Sequence, residues 1–213
     1  MGTERNHSAV QSQPLRNPVN RVDDDRLLDA VRARVLSVGV RRTTLTDVAR
    51  HARVSRMTLY RRFPDVRSLV AALMTREFGG LLEQAAVDGA AAGSARERLV
   101  AGALSAARRL SANSVLRSML DRDPELLLPY LLERVGTAQR FAEAFLTELV
   151  DAGHADGSIR LTDTTVQVRV LLFTVQTFAF SLRAASSDVD SEALLVELEA
   201  QLDGGLRPAA ERT

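Results

Sequence analysis

The apolar positions from residue 45 to residue 64 are spaced as in two short helices that meet at a tight turn. In the first segment they recur every three or four residues, at Leu45, Val48, Ala49 and Ala52. This spacing places them on one face of a helix about two turns long. Thr44 is predicted to cap that helix, because its hydroxyl can accept from the backbone N–H of Asp47.

The second segment is predicted to be a helix that begins after Ser55, which offers a second cap. Leu59 and Phe63 lie four residues apart and are expected to be buried against the first helix. Pro64 ends this helix, because the residue before a proline is pushed out of the α region. The remaining side chains point outward: Arg56, Met57, Thr58, Tyr60, Arg61 and Arg62.

This outward face combines arginines, a hydroxyl and a phenol, and it contains no carboxylate. Such a helix fits the major groove of B-DNA, where arginine reads guanine and the threonine methyl group contacts the methyl group of thymine. The alternative interpretation is a solvated helix of the kind that arginine-rich proteins often contain. Turn chemistry, burial pattern and charge together favour a nucleic-acid interface.

Residues 43–73 resemble the DNA-binding segment of the TetR family of transcriptional regulators. The resemblance rests on the threonine-capped first helix, on the segment Val54–Phe63 and on Leu69, which opens the next helix. It implies phosphate contacts from Thr44 and Tyr60. It also implies base or groove contacts from Arg56, Met57, Thr58, Arg61 and Arg62. The predicted DNA-binding set is completed by Arg41, Arg42, Arg53 and Ser55.

One position departs from the family pattern, since the turn carries Arg53 where a glycine is usual. If the turn requires a positive φ, a residue with a β-carbon is strained there by roughly 1 kcal/mol. Two explanations stay open at this point. Either the turn has another shape in this chain, or Arg53 is retained because its charge reaches a phosphate.

The rest of the pattern predicts helices and contains no hairpin signal, so the fold is expected to be all-α. A first helix should begin with the acidic Asp23–Asp25 and close at Gly39, and Asp65 should cap a long helix. Further long helices are predicted at about 131–151, 162–185 and 190–202. The predicted organisation is a disordered tail (1–22), a helix-turn-helix DNA-binding domain (23–64), a helical ligand-binding and dimerisation domain (65–203) and a C-terminal tail (204–213).

The helix predicted at 162–185 is apolar nearly all round and therefore needs cover on every side. Polar residues interrupt its apolar run, which predicts a buried helix rather than a membrane span. Pairing of the last two helices with their symmetry mates in a four-helix bundle would supply the cover. The sequence thus predicts a homodimer through the two C-terminal helices, and a monomer with these helices folded inward is the alternative.

Charge is distributed unevenly along the 213 residues. Residues 1–76 contain 15 arginines and 7 acidic residues, a net charge of +8, whereas the remaining 13 arginines face 20 acidic residues, a net of −7. A basic head on an acidic body is expected when one end binds a polyanion. Arg41 and Arg42, in the loop before the threonine cap, are well placed to contact phosphates.

No feature of the sequence indicates catalysis or a bound metal. The chain contains no cysteine, which suits a reducing cytoplasm, and no N-terminal apolar run of the kind found in secretory signals. Its histidines have no partner nucleophile nearby in sequence, and metal-ligand spacings and phosphate-binding loops are missing. Asp121 and Asp123 are interpreted as helix-end carboxylates. We expect a cytoplasmic protein without catalytic residues, cofactor or metal.

TetR-family regulators enclose a body cavity, and the resemblance places several residues of this chain on the helices around it. They are Phe78, Leu82, Leu104, Met119, Phe141, Phe145, Phe173 and Gln176. An apolar pocket with a few polar groups would suit a hydrophobic small molecule. The alternative is that these aromatics, which follow helical spacing, form ordinary core.

The combined prediction is a dimeric, sequence-specific transcriptional regulator that binds a pseudo-palindromic double-stranded operator. Repression released by a hydrophobic small-molecule effector is the expected mode of action. Two rival functions stay open. The first is an α-helical enzyme that turns over an apolar substrate, and the second is an architectural DNA binder without sequence preference.

Overall fold

The computed structural model describes residues 18–128 and 135–209. Within these residues it contains nine α-helices and no β-strand, which confirms the predicted all-α class. The helices are α1 (Pro18–Val38), α2 (Leu45–Ala52), α3 (Arg56–Arg62), α4 (Val66–Gly89), α5 (Ala95–Ala112), α6 (Ser114–Arg122), α7 (Thr137–Ala155), α8 (Thr164–Ala185) and α9 (Ser191–Leu206). A 3₁₀ turn at Pro124–Leu126 follows α6.

α1 differs from the prediction at its start, because it already includes Pro18, ahead of the predicted Asp23. The rest of the predicted tail, residues 1–17, lies outside the described residues. The predicted start of a helix near residue 131 lies outside the described residues. The described helix α7 begins at Thr137, after a cap in which the N–H of Gly136 donates to Gln139 Oε1 at 2.7 Å.

The caps predicted in the first third of the chain are confirmed. Thr44, Ser55 and Asp65 each accept a hydrogen bond from a backbone N–H three residues on, at 3.1, 3.0 and 2.7 Å. The N–H of Ser68 holds the pKa of Asp65 below its usual value, so this cap is charged at neutral pH. Gly39 follows α1 with a φ of +81°, as the left-handed end of that helix requires.

The described residues form two apolar cores. The first joins α1, α2, α3 and the start of α4 with α6, and it contains Leu27, Val31, Val35, Val48, Leu59, Leu69, Leu73, Val115 and Leu116. The second joins α5, α7, α8 and α9 around Leu99, Ala107, Val150, Ile159, Val168, Leu195 and Leu198. Because α6 contributes to the first core, the DNA-binding head predicted at 23–64 is packed directly against part of the body.

α8 is only partly buried in the single chain. It packs against α5, α7 and α9. Among the described residues it is the one helix long and apolar enough to cross a membrane, and 39% of its most apolar window is buried. Val166 and Val170 are 59% and 61% exposed. The predicted burial of α8 is therefore incomplete within one subunit.

α4 and α5 come close together at a pair of glycines. A β-carbon on Gly89 would lie 2.7 Å from the carbonyl oxygen of Arg98 and 3.1 Å from the backbone nitrogen of Gly102. Only glycine at this position lets the two backbones pack at this distance. The crossing sets the separation of two helices that are packed along much of their length.

We expect Gly89→Ala to lower the free energy of unfolding by about 1–3 kcal/mol, because the added methyl group must push backbone atoms apart. Gly80→Ala, on the same helix, is the matched control, since its β-carbon would meet nothing within 4 Å. That substitution should raise stability by about 0.5–1 kcal/mol, because alanine is the better helix former. Urea denaturation measures the free energy of unfolding of both variants. Equal changes in the two would contradict the close approach of α4 and α5 at Gly89.

Candidate nucleic-acid interface and body cavity

The backbone conformation of Arg53 determines the shape of the turn between α2 and α3. This residue adopts the left-handed conformation, with φ 56° and ψ 39°. The N–H of Val54 donates to the carbonyl of Ala49 at 3.0 Å, which closes the turn. The turn therefore has the positive φ that glycine usually supplies, and a differently shaped turn is excluded. The Arg53 guanidinium is exposed and has no ion-pair partner among the described residues.

α3 is held in place by its cap and by two apolar anchors. The hydroxyl of Ser55 accepts from the N–H of Thr58 at 3.0 Å, and the two hydroxyl oxygens lie 2.8 Å apart. Leu59 is fully buried, and the half-buried Phe63 packs against the same core. The predicted burial is confirmed for Leu59, whereas Phe63 is buried only in part. Their positions decide which side chains of this short helix face solvent.

The solvent-facing side of α3 is rich in unpaired hydrogen-bond donors. Arg56 and Arg61 are exposed, and neither forms an ion pair or a side-chain hydrogen bond with a described residue. Met57 and Tyr60 beside them are 77% and 50% exposed, while Thr58 is half-buried. Unpaired guanidiniums keep all their donors available for base edges or phosphates. We call Arg56, Met57, Tyr60 and Arg61 the exposed face of α3.

Arg62 does not belong to this face, which corrects its prediction as an outward-pointing residue. Its Nη1 donates to Asp24 Oδ1 at 2.6 Å, and its side chain is only 20% exposed. Arg62 lies three residues after Leu59, so it falls near the inner side of the helix. It ties α3 to α1 and helps to set the orientation of α3.

The loop before α2 offers one unpaired arginine and one paired arginine. Arg42 is exposed and makes no ion pair with a described residue. The Arg41 Nε lies 2.7 Å from Glu125 Oε1, so a phosphate would have to displace a carboxylate to reach it. Thr44 is exposed, but its hydroxyl donates to Asp47 Oδ2 at 2.8 Å. This hydrogen bond lowers the pKa of Asp47.

A buried aspartate holds the same loop from the body side. Asp123 is 2% exposed and accepts from the backbone N–H of Val40 at 2.8 Å and of Arg41 at 3.4 Å. A β-carbon on Gly39 would lie 2.8 Å from Asp123 Oδ2, so glycine is required beside the carboxylate. The interpretation of Asp123 as an ordinary helix-end carboxylate was incomplete. Its only signal in the sequence is its place before Pro124, which does not distinguish buried from exposed carboxylates.

α6 also bonds to the carbonyl groups at the end of α1. Ser118 donates to the carbonyl of Val35 at 3.2 Å, and Arg122 donates to those of Leu36 and Ser37 at 3.2 and 3.0 Å. The last carbonyls of a helix lack partners within it, so side chains from elsewhere are needed to satisfy them. The end of α1 and the loop that follows it are thus attached to α6.

The body contains a cavity of about 580 Å³ between α4, α5, α6, α7 and α8. This volume lies in the range of small-molecule sites, and most of the lining is apolar. Five of the predicted ligand-binding residues line it: Phe78, Leu82, Met119, Phe145 and Gln176. Leu126 and Leu127, which follow Asp123, also line it.

Three residues predicted for the cavity lie elsewhere, which corrects that part of the prediction. Phe141 is 51% exposed, because it is about 100° round α7 from the lining residue Ala142. Phe173 is half-buried and is offset by a similar angle from Leu172, which does line the cavity. Leu104 packs into the second core. Helical spacing grouped these residues, but it did not show which side of each helix faces the cavity.

Two glutamines form a polar pair in the lining. Gln139 and Gln176 are each 8% exposed, and Gln139 Nε2 donates to Gln176 Oε1 at 2.7 Å. In the part of the chain that the structure describes, no group of three or more His, Cys, Asp or Glu residues is placed to hold a metal ion. The described residues thus present two surfaces, one cationic and exposed, the other a mainly apolar cavity.

This arrangement defines a helix-turn-helix DNA-binding protein whose head is attached to a cavity-containing body. Residues 27–73 match the bacterial regulatory proteins of the tetR family. Over 181 residues the chain is 34% identical to uncharacterized HTH-type transcriptional regulators of Mycobacterium bovis and Mycobacterium tuberculosis, covering 85% of this chain and 93% of each relative. The chain belongs to the tetR family of transcriptional regulators, and the rival interpretation as an enzyme is wrong.

Solved structures of regulators share the fold. The fatty acid degradation regulator FadR from Bacillus halodurans has a TM-score of 0.63 at 19% identity, covering 87% of this chain and 96% of its own. The TetR family repressor AlkX from Dietzia, implicated in biodegradation of n-alkanes, also has a TM-score of 0.63 at 19% identity. The match covers 85% of this chain and 93% of AlkX. FadR from Bacillus subtilis in complex with stearoyl-CoA has a TM-score of 0.60 at 17% identity. The match covers 86% of this chain and 99% of that FadR chain.

Arg53→Gly is expected to raise the free energy of unfolding by about 1 kcal/mol, because glycine adopts the left-handed conformation without strain. Arg53→Ala is the matched control, since it removes the charge and keeps the β-carbon. Its stability should stay within about 0.5 kcal/mol of the original chain. Thermal and chemical denaturation measure both variants. A similar gain from alanine would mean that charge repulsion, rather than backbone strain, is relieved.

Proposed function

We propose that this protein is a homodimeric repressor that binds a pseudo-palindromic operator and is released from it by a hydrophobic small molecule. The observation that carries the proposal is the exposed face of α3, with two unpaired guanidiniums on a helix whose inner side is anchored. A seven-residue helix fixed at a turn has the dimensions to enter a major groove end first.

The contacts are divided between base reading and positioning. Arg56 lies in the first turn of α3, where recognition helices reach base edges, and it is the main candidate to read guanine. Arg42, Arg53 and Tyr60 are also exposed and suit phosphate oxygens. Such phosphate contacts set affinity and register, while base contacts set specificity. Arg41 contributes only if DNA replaces Glu125 as its partner.

Dimerisation is supported by the apolar surface that one subunit leaves uncovered on α8 and α9. On α8, Val166 and Val170 are exposed, and on α9 Val196 is 62% exposed. Small residues flank Val196 on the same side of α9, at Ala193, Ala200 and Gly204. A two-fold partner that packs α8 and α9 against their copies would bury this surface in a four-helix bundle.

The proposed release of DNA by an effector is supported by the contact between the cavity and the head. Met119 and Leu127 line the cavity on either side of Asp123, which holds the loop before α2. A molecule that displaces these lining residues would move α6 and with it the end of α1. Such a ligand releases DNA if it binds better to the arrangement in which the two heads no longer match the operator.

The chemistry of the cavity supports a hydrophobic effector. Its lining is predominantly apolar, and its volume suits a small molecule. One regulator with this fold is described in complex with stearoyl-CoA, which has a long apolar acyl chain on a polar, anionic CoA group, and another is implicated in the biodegradation of n-alkanes, which are apolar. A repressor of this kind acts on chromosomal DNA, so we place it in the cytoplasm.

Selection of bound duplexes from a random pool tests the proposal. The original chain should enrich two inverted half-sites whose centres lie about 34–36 Å apart or a multiple of one helical turn. Arg56→Ala should weaken binding to the selected site by about 1–3 kcal/mol and relax the preference at one base pair. An architectural DNA binder would enrich no palindrome, and this outcome would overturn the proposed function.

Arg42→Ala is the matched control for Arg56 in the same assay, because it removes an exposed arginine from a position assigned to phosphate. It should weaken binding to all sequences alike and reduce the slope of log affinity against log salt by about 1. A change of base preference in this variant would contradict the assignment. Equal losses on cognate and random DNA for Arg56→Ala would mean that Arg56 contacts only phosphate.

Val170→Glu is expected to convert the dimer into monomers at micromolar concentration, because each copy would have to bury a carboxylate without a partner. Val87→Glu is the control, since Val87 is 66% exposed on α4 and lies outside the proposed interface. Sedimentation velocity gives the oligomeric state of both variants. A dimeric Val170→Glu protein would place the interface on another surface.

A further inference from the structure

One arginine of the loop before α2 is paired with the body. The Nε of Arg41 lies 2.7 Å from Glu125 Oε1, on the 3₁₀ turn that follows α6, and 3.9 Å from Asp123 Oδ1. The backbone of the loop is held separately, because the N–H groups of Val40 and Arg41 donate to Asp123. Glu125 therefore contacts the side chain of Arg41, while Asp123 fixes the backbone beside it.

The pair between Arg41 and Glu125 is open to exchange. The side chain of Arg41 is 69% exposed and that of Glu125 is 40% exposed. Ion pairs with this exposure contribute little to stability, because water and dissolved ions compete with each partner. Another anion can therefore replace Glu125 at Arg41, and the loop keeps its attachment to the body through Asp123.

The place of the loop in the helix-turn-helix favours a DNA phosphate as that anion. The loop precedes Thr44, which caps α2 and is exposed. The first helix of such a motif crosses the DNA backbone. Arg42, next to Arg41, is exposed and makes no ion pair with a described residue. A carboxylate and a phosphate bind a guanidinium through similar charge-assisted contacts, so each can occupy the same position at Arg41.

We infer that Glu125 occupies the position of a DNA phosphate at Arg41 and thereby lowers the affinity of the protein for every duplex. This inference rests on the proposed function for the way in which the head meets DNA. Binding exchanges one anionic partner of Arg41 for another. The cost of this exchange is the same for all sequences, so Glu125 sets affinity while the exposed face of α3 sets base preference.

Such an exchange changes the salt dependence of binding. Each phosphate contact releases condensed cations and adds about 0.9 to the slope of log affinity against log salt. When Arg41 leaves Glu125, the freed carboxylate attracts cations from solution. The two changes oppose each other, so Arg41 should contribute less to the slope than an arginine that is unpaired in the free protein.

Glu125→Gln tests the inference, because it removes the charge and keeps the shape of the side chain. Binding of the full-length protein to the selected operator and to a random duplex of equal length is measured by fluorescence anisotropy at several salt concentrations. Affinity for both duplexes should rise about fivefold at low salt. The salt slope should become steeper by up to about 0.9. Adding Arg41→Ala to this variant should abolish both effects.

Asp121→Asn is the matched control for the change in net charge. Asp121 lies on α6 and also pairs with an arginine, at 2.6 Å, but that partner is Arg183 of α8. Affinity and slope should stay as in the original chain. If Glu125→Gln fails to fold, single substitutions of the two loop arginines decide the question. Arg42→Ala should flatten the slope by about 1, and Arg41→Ala should flatten it clearly less.

The outcomes separate this inference from the function on which it rests. If Glu125→Gln binds both duplexes as the original chain does, the exchange is wrong and the proposed function stands. The exchange is also wrong if the gain persists together with Arg41→Ala, or if Asp121→Asn gives the same gain, because Glu125 would then act on DNA only through its charge. If the original chain binds no duplex at low salt, the proposed function fails together with the inference.

Discussion

The burial of Leu59 between α3 and the helices beneath it is the interaction on which the rest of the structure depends. α3 has seven residues, fewer than an isolated helix needs to be stable in water. Its existence and its orientation both come from contact with the head core, with help from the Ser55 cap and the ion pair between Arg62 and Asp24. Without this burial the exposed arginines of α3 would have no defined direction.

The second constraint is the attachment of the head to α6. Asp123 accepts from the backbone before α2, and Ser118 and Arg122 donate to the end of α1. A buried carboxylate with backbone partners is costly to separate from them, because its desolvated oxygens would be left unpaired. α6 and the loop should therefore shift together. The same segment also lines the cavity. A displacement of α6 at the cavity would therefore also move the loop before α2.

The cavity and the uncovered face of α8 and α9 suit different kinds of binding partner. The cavity lies between helices of one subunit and has a mainly apolar lining, so it suits a small hydrophobic molecule. The uncovered face spans two helices and exposes several valines, so it suits a copy of the same surface. The hydropathy of α8, which by itself would also fit a membrane span, has a simple explanation in such a pairing.

Local chemistry made much of the head predictable. The hydroxyl caps at Thr44 and Ser55, the spacing of Leu59 and Phe63, and the left-handed Gly39 are decided within a few residues, and the structure confirms each of them. The tertiary structure decided what depends on contacts distant in the chain. It turned Arg62 toward α1, paired Arg41 with Glu125 and buried Asp123.

The body shows the same division. Helical spacing identified the aromatic residues of α7 and α8, but only the packing of five helices decided that Phe145 lines the cavity and that Phe141 faces solvent. The sequence by itself determined the helices, their caps and the basic head, because these depend on neighbouring residues. Which side of each helix meets a cavity, a carboxylate or solvent was settled by the tertiary structure, because a helix's partners come from parts of the chain that local periodicity does not encode.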